Sequence, residues 1–270
     1  MTGANSGIGR ATVDLLLGLE ANVVMTARRS DAGAATAQAL KQKHPSAALE
    51  FVSLDLSESN SVKETSKRIL AGGIDVLVNN AGGMADGTLE EMFLGNVLGH
   101  YQLTQALLPS LLAAKGKVVI LSSAGHAMAQ LPRPDESIAE LIKTGRGSSI
   151  GKYGFTKLCG VWHAIGLHGR YGTSGLRTYA LHPGGIATEG FDKTKGLPFH
   201  ERLGSLFYKN VFAEKNVSLG AQTTLHCIGN TEANGESGKY YDNCQPVTPH
   251  HCDDKMRIDE MFDYCEQRLA

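Results

Sequence analysis

The sequence has 270 residues, 42% hydrophobic and 20% charged, enough apolar material for a core, which excludes a disordered chain, a collagen, a coiled coil and a disulfide mini-protein. Its 26 basic and 27 acidic residues nearly cancel, so bulk charge favours neither nucleic acid nor an anionic membrane surface. The five cysteines are odd in number and lack paired zinc spacing, and no apolar run reaches the ~20 residues of a membrane span. A soluble protein of the reducing cytoplasm is expected, with a lost N-terminal anchor or targeting segment left open.

The chain opens on Thr2-Gly3-Ala4-Asn5-Ser6-Gly7-Ile8-Gly9. The spacing of Ile8, Ala11, Thr12, Leu15, Leu16 and Leu19 then predicts an amphipathic helix over 7–19. Apolar strand-like runs follow at 22–27, 49–55, 74–79, 117–122 and 176–182, alternating with helical stretches. Such alternation predicts an α/β fold with parallel strands joined by helical crossovers. Residues 127–147 carry Pro132, Pro134, Gly145 and Gly147 and read as a loop with a short helix over 138–143. Residues 191–212 are rich in aromatics, and Ile258, Met261, Phe262, Cys265 and Leu269 give the last helix an apolar face. No repeat or linker divides the chain, so a single domain over 1–270 is expected.

Glycines at the mouth of a helix permit a tight turn and a close approach to a pyrophosphate, whose charge the free amides attract. A bland turn before a helix would use the same residues. Tyr153 and Lys157 stand at i and i+4, on one helix face. A phenol near pKa about 10 is a poor base, but a neighbouring cation stabilises the phenolate. An ordinary surface pair is the competing reading.

These motifs occur in one order with Asn79-Asn80-Ala81-Gly82 after a strand and Ser122-Ser123 at another strand end. The sequence thereby resembles the short-chain dehydrogenase/reductase family over nearly its whole length, and within it looks most like the retinol dehydrogenase group. Leu54-Asp55-Leu56-Ser57, Asn96 to His100, His182-Pro183-Gly184, Gly220 to Thr223 and Ser237 to Tyr240 add to the likeness. The resemblance implies a Rossmann-type doubly wound parallel sheet of strand order 3-2-1-4-5-6-7, with residues 127–147 as an insertion before the tyrosine and 190–216 as a substrate lid.

It further implies that Tyr153 is the general acid or base, that Lys157 lowers its pKa and binds the nicotinamide ribose, that Ser123 holds the substrate oxygen, and that Asn96 holds a relay water. Ser122 competes with Ser123, and Asn96 has the bland alternative of bending its helix. Gly3, Asn5, Ser6, Gly7, Ile8 and Gly9 would cradle the cofactor. Asp55 would lie beside the adenine, with Leu56 also binding the cofactor, the backbone of Asn80, Ala81 and Gly82 beside the adenosine ribose and the strand end, and Pro183, Gly184 and Thr188 at the nicotinamide and pyrophosphate.

Arg28 directly follows the second family strand, where an acidic residue would bind the 2′-hydroxyl of NAD. A guanidinium suits a 2′-phosphate, so NADP(H) is preferred, while Asp31 keeps NAD(H) open. The expected substrate is a small lipophilic alcohol or its aldehyde or ketone. A steroid or pigment-precursor carbonyl, and a catalytically impaired dinucleotide-binding or interaction protein, are the alternatives. A homodimer through the helices carrying Asn96 and Tyr153 is expected from the family, with the glycines at 151, 154, 160 and 166 permitting close helix approach. Cys244, His250, His251 and Cys252 have metal-binding atoms but fit no common zinc spacing, and no metal is expected.

One departure stands out. Only Met1 precedes Thr2, so the first strand is expected to be missing, leaving its neighbours roughly 9.6 Å apart at twice the ~4.8 Å strand spacing, with unpaired backbone on both. A clipped sequence or an impaired protein would follow.

Overall fold

The computed structural model describes residues 1–84, 87–184, 217–229 and 236–270. Helix α1 (Gly7–Gly18) leads to strand β1 (Val23–Ala27), α2 (Ser30–Lys43), β2 (Leu49–Ser53), α3 (Ser59–Leu70) and β3 (Val76–Asn79). Next come α4 (Leu89–Phe93), a π-helical segment (Leu94–Leu98), α5 (Gly99–Ala113), β4 (Lys117–Leu121) and a 3₁₀ turn (Ala124–Met128). The chain continues through α6 (Ile138–Thr144), α7 (Ser149–Tyr171), β5 (Arg177–His182), α8 (Val217–Gly229), β6 (Lys239–Asp242), β7 (Gln245–Val247) and α9 (Lys255–Leu269).

Strands β3, β4, β5 and β6 are parallel in that order, and β7 adds an antiparallel edge that the sequence pattern did not signal. Strand β1 pairs in parallel with β2 in a separate sheet. The succession β2-β1, then β3 to β6, is the expected order with the first place open. Strand β4 shows why these runs are continuously apolar: Val118 and Ile120 enter the core beneath α3, α5, α7 and α9, while Val119 and Leu121 enter the one that holds Cys227 of α8.

Strands β1 and β3 share no ladder, but their facing edges are not wholly unpaired. Met1 to Ala4 bridges them at one end: Thr26 N–H donates to the Met1 carbonyl at 2.9 Å, Ala4 N–H to Thr26 at 2.9 Å, and Thr2 N–H to Val78 at 3.0 Å. Beyond this bridge lies a cavity of about 960 Å³ between the two sheets, with Val24, Val76, Leu77, Leu103 and Ile228 in its walls.

The predicted stripe on the first helix is rotated. Leu19 is 72% and Leu15 38% exposed, whereas Gly9, Thr12, Val13 and Leu17 are buried. A Cβ at Gly9 would stand 2.3 Å from the Gly3 carbonyl, so the helix must turn its glycine inward, and the apolar face follows. Residues 191–212 lie outside the described residues. Among the described residues no helix is long and apolar enough to cross a membrane.

Two core histidines make the fold acid-sensitive. His100 is held by Thr2 and the Asn96 carbonyl; His163 packs against both the Tyr101 and Phe262 rings with its Nε2 unpartnered. Burial pulls them from 6.5 to about 4 and about 3. Between those values and 6.5 the unfolded chain binds more protons, so stability falls as pH drops below about 6.5. Melting temperatures measured from about pH 7 to about pH 4.5 should fall, and less steeply in His163→Phe; parallel slopes would contradict this.

Candidate active site

The C-terminal ends of the parallel strands gather the motif residues, the end at which open α/β sheets bind ligands. The opening turn is built on Gly3, whose φ of +62° suits glycine. The Thr2 hydroxyl accepts from Asn80 and Ala81 N–H at 2.9 Å each, and Asn80 Nδ2 donates to the Thr2 and Gly3 carbonyls at 2.7 and 3.1 Å. Thus Asn80 spends its side chain bracing the turn. Ser6 caps α1 without a side-chain hydrogen bond to its amides, and no acidic residue stands in the first turn. Asn5, Gly7 and Ile8 complete this mouth, which suits an anion.

Arg28 is exposed just past β1. Asp31 sits in the first turn of α2 and pairs with Arg29 at 3.6 Å. Asp55 Oδ1 accepts from Ser57 N–H and Oγ at 3.0 and 2.6 Å, forming the turn after β2. The Leu56 carbonyl would stand 2.0 Å from a Cβ at Gly99, so glycine at 99 lets α5 pass beneath that turn.

Strand β4 runs into Ser122 and Ser123, and α7 presents Tyr153 and Lys157 toward them. Ser122 is buried and donates to the Lys157 carbonyl at 2.8 Å. Ser123 keeps a half-buried side chain whose Oγ accepts from Gly125 N–H at 3.1 Å. A Cβ at Gly125 would meet both Ser123 Oγ at 3.4 Å and the Tyr153 ring at 3.6 Å, so serine and phenol flank one small space. Lys157 Nζ lies 5.6 Å from the Tyr153 ring centroid and donates to the Leu121 carbonyl at 3.0 Å. The lysine is only 7% exposed, and burial pulls its ammonium down to about 8.

Asn96 lies, as expected, inside the long helix that follows Thr88, where the chain widens into the π segment Leu94–Leu98 between α4 and α5. Its Oδ1 accepts from Gly83 N–H at 3.2 Å, and its Nδ2 donates to the Gly83 carbonyl at 3.0 Å and to Thr156 Oγ1 at 3.1 Å. The tertiary clamp on a side chain in mid-helix accounts for the local widening. A Cβ at Gly82 would fall 3.0 Å from Asn96 Oδ1 and 3.3 Å from Lys157 Nζ, so these groups share one hollow.

Pro183 and Gly184 lead away from β5, with Gly184 at φ +94°; Thr188 and the 190–216 segment lie outside the described residues. The four α7 glycines at 151, 154, 160 and 166 each face a neighbour within the chain: Gly151 faces Gln130, Gly154 the Gly125 carbonyl, Gly160 Ile120 and Gly166 the Phe262 ring. Among the described residues no three His, Cys, Asp or Glu side chains gather as a metal site. Sequence reasoning missed His126 and Thr156, whose partners are distant in the chain; Thr2 was quoted only as part of its motif.

A family model described as short chain dehydrogenase matches residues 1–132. The chain is 32% identical over 264 residues to dehydrogenase/reductase SDR family member 13 of Homo sapiens, covering 94% of this chain and 68% of that protein. It is 33% identical over 255 residues to retinol dehydrogenase 12 of Mus musculus, covering 91% and 77%. Among solved structures, an alcohol dehydrogenase from the archaeon Thermococcus sibiricus, complexed with 5-hydroxy-NADP, superposes with a TM-score of 0.57 at 26% identity, over 69% of this chain and 75% of that one.

Proposed function

This chain belongs to the short-chain dehydrogenase/reductase family and is an NAD(P)-dependent oxidoreductase; from that premise we propose that it uses NADP(H) to interconvert a lipophilic alcohol and its aldehyde or ketone. The observation that carries the reading is the convergence of Ser123, Tyr153 and Lys157 around one space. The buried ammonium there engages in no salt bridge among the described residues.

The chain's own residues fit the nucleotide. The Gly3 to Gly9 cradle and the open α1 amides suit a pyrophosphate. Arg28, exposed past β1, suits a 2′-phosphate, while the carboxylate of Asp31 is engaged by Arg29. When bound, the nicotinamide supplies the hydride. Tyr153 gives its hydroxyl proton to the substrate oxygen in reduction and takes it back in oxidation. Lys157 favours the phenolate electrostatically and offers its ammonium to the nicotinamide ribose. Ser123 donates to the substrate oxygen as charge develops, a task for which Ser122, spent on the Lys157 carbonyl, is not free. Asn96 holds the Gly83 loop and Thr156 in place and stands beside Lys157, where a relay water would sit. Apolar Met128 and Ile150, 53% and 43% exposed, flank this machinery in sequence and suit a lipophilic substrate, in keeping with the retinol dehydrogenase relative.

Arg28→Ala tests the cofactor preference: the KM for NADPH should rise about tenfold, roughly 1.4 kcal/mol of lost pairing, with the KM for NADH unchanged. A wild type that prefers NADH would sink the assignment.

A further inference from the structure

The turn that carries Ser123 is tied to a segment far away in the chain. Ser123 has extended backbone (φ −161°, ψ 154°) and caps the 3₁₀ turn Ala124–Met128. Within that turn His126 is 4% exposed. The main-chain N–H of His250, 124 residues on, donates to its Nε2 at 3.1 Å. A nitrogen that accepts carries no proton, so the neutral ring holds its hydrogen on Nδ1. That Nδ1 donates to the Ser123 carbonyl at 2.7 Å.

The brace is anchored on both sides. Trp162 of α7 donates through Nε1 to the His251 carbonyl at 2.8 Å, pinning the segment that supplies His250. The His126 ring meets Tyr240 of β6 edge-on at 4.9 Å. On its other flank Ala124 N–H donates to His182 Nδ1 at 3.2 Å, at the end of β5.

We propose that His126 is a positioning residue for the reaction at Ser123: as the Nδ1–H tautomer it fixes the Ser123 peptide plane, and with it the direction of the serine side chain, by bracing it against the main chain at His250. This rests on the assignment of Ser123 to the substrate oxygen. A donor to a developing oxyanion works only within a few tenths of an ångström of its place, and misplacement by about 1 Å can cost about a hundredfold in rate.

Two amide variants separate the ring's ends. His126→Asn can place an N–H where Nδ1 stands and keep the bond to Ser123. His126→Gln can place an acceptor where Nε2 stands and keep only the bond from His250. With NADPH and a lipophilic aldehyde, His126→Gln should lose about tenfold or more in kcat with unchanged NADPH affinity and melting temperature, while His126→Asn stays within about threefold of wild type. Wild-type kcat in His126→Gln, equal losses in the two variants, or losses that track melting temperature would overturn the proposal. Ser123→Ala, run alongside, separates the two levels. Full activity in Ser123→Ala would refute the assignment of the serine itself; an inactive Ser123→Ala beside an unimpaired His126→Gln would refute the brace alone.

Discussion

Tyr153→Phe is expected to lower kcat for carbonyl reduction by about a thousandfold while leaving NADPH affinity and melting temperature unchanged. The substitution deletes one hydroxyl, and general acid catalysis typically contributes between about a hundredfold and ten-thousandfold. The Phe ring keeps the packing beside Gly125 and the face toward the Lys157 ammonium, 5.6 Å from the ring centroid. Steady-state rates combined with NADPH fluorescence titration separate chemistry from binding. A kcat within tenfold of wild type would remove Tyr153 from the proton transfer.

The second large effect sets activity against stability. Lys157 is buried with a carbonyl partner at 3.0 Å, and burial lowers its pKa from 10.5 to about 8. Near neutral pH the folded protein therefore holds a charge at a cost of about 3 kcal/mol, at about 1.4 kcal/mol per unit. Lys157→Met keeps the length and the apolar stem. It loses the hydrogen bond to Leu121, worth about 1.5–3 kcal/mol for a charged donor, and is relieved of the buried charge. Stability without cofactor should thus stay level or rise slightly, while kcat falls about a hundredfold or more. Thermal melts and turnover on one preparation read both quantities. A large drop in melting temperature would show that the lysine serves the fold.

Much of this site was readable in the sequence because its signals are local. Tyr153 and Lys157 share a face through helix geometry alone, and the continuous apolar run of β4 follows from burial on both sides of a parallel sheet. What was not readable depends on partners brought from afar. The first helix turned its stripe because Gly9 must clear the Gly3 carbonyl, a steric demand that hydrophobic periodicity does not register. The π segment around Asn96 is set by Gly83 and by Thr156, the latter 60 residues away. His100 reaches Thr2, 98 residues back, and the Nδ1–H tautomer of His126 answers to the main chain at His250, 124 residues on. The open place between β1 and β3 was foreseen from the absence of an apolar run before Thr2, but its bridging by Met1 to Ala4 was not.

The most direct measurement is isotopic: the purified protein is incubated with NADPH deuterated at the nicotinamide C4 position and a lipophilic aldehyde, and the alcohol is weighed by mass spectrometry. The assignment of NADPH, Ser123, Tyr153 and Lys157 predicts deuterium on the carbinol carbon, formed in step with NADPH consumption and nearly abolished by Tyr153→Phe. A folded protein that binds NADPH yet yields no labelled alcohol across a broad carbonyl panel would contradict it.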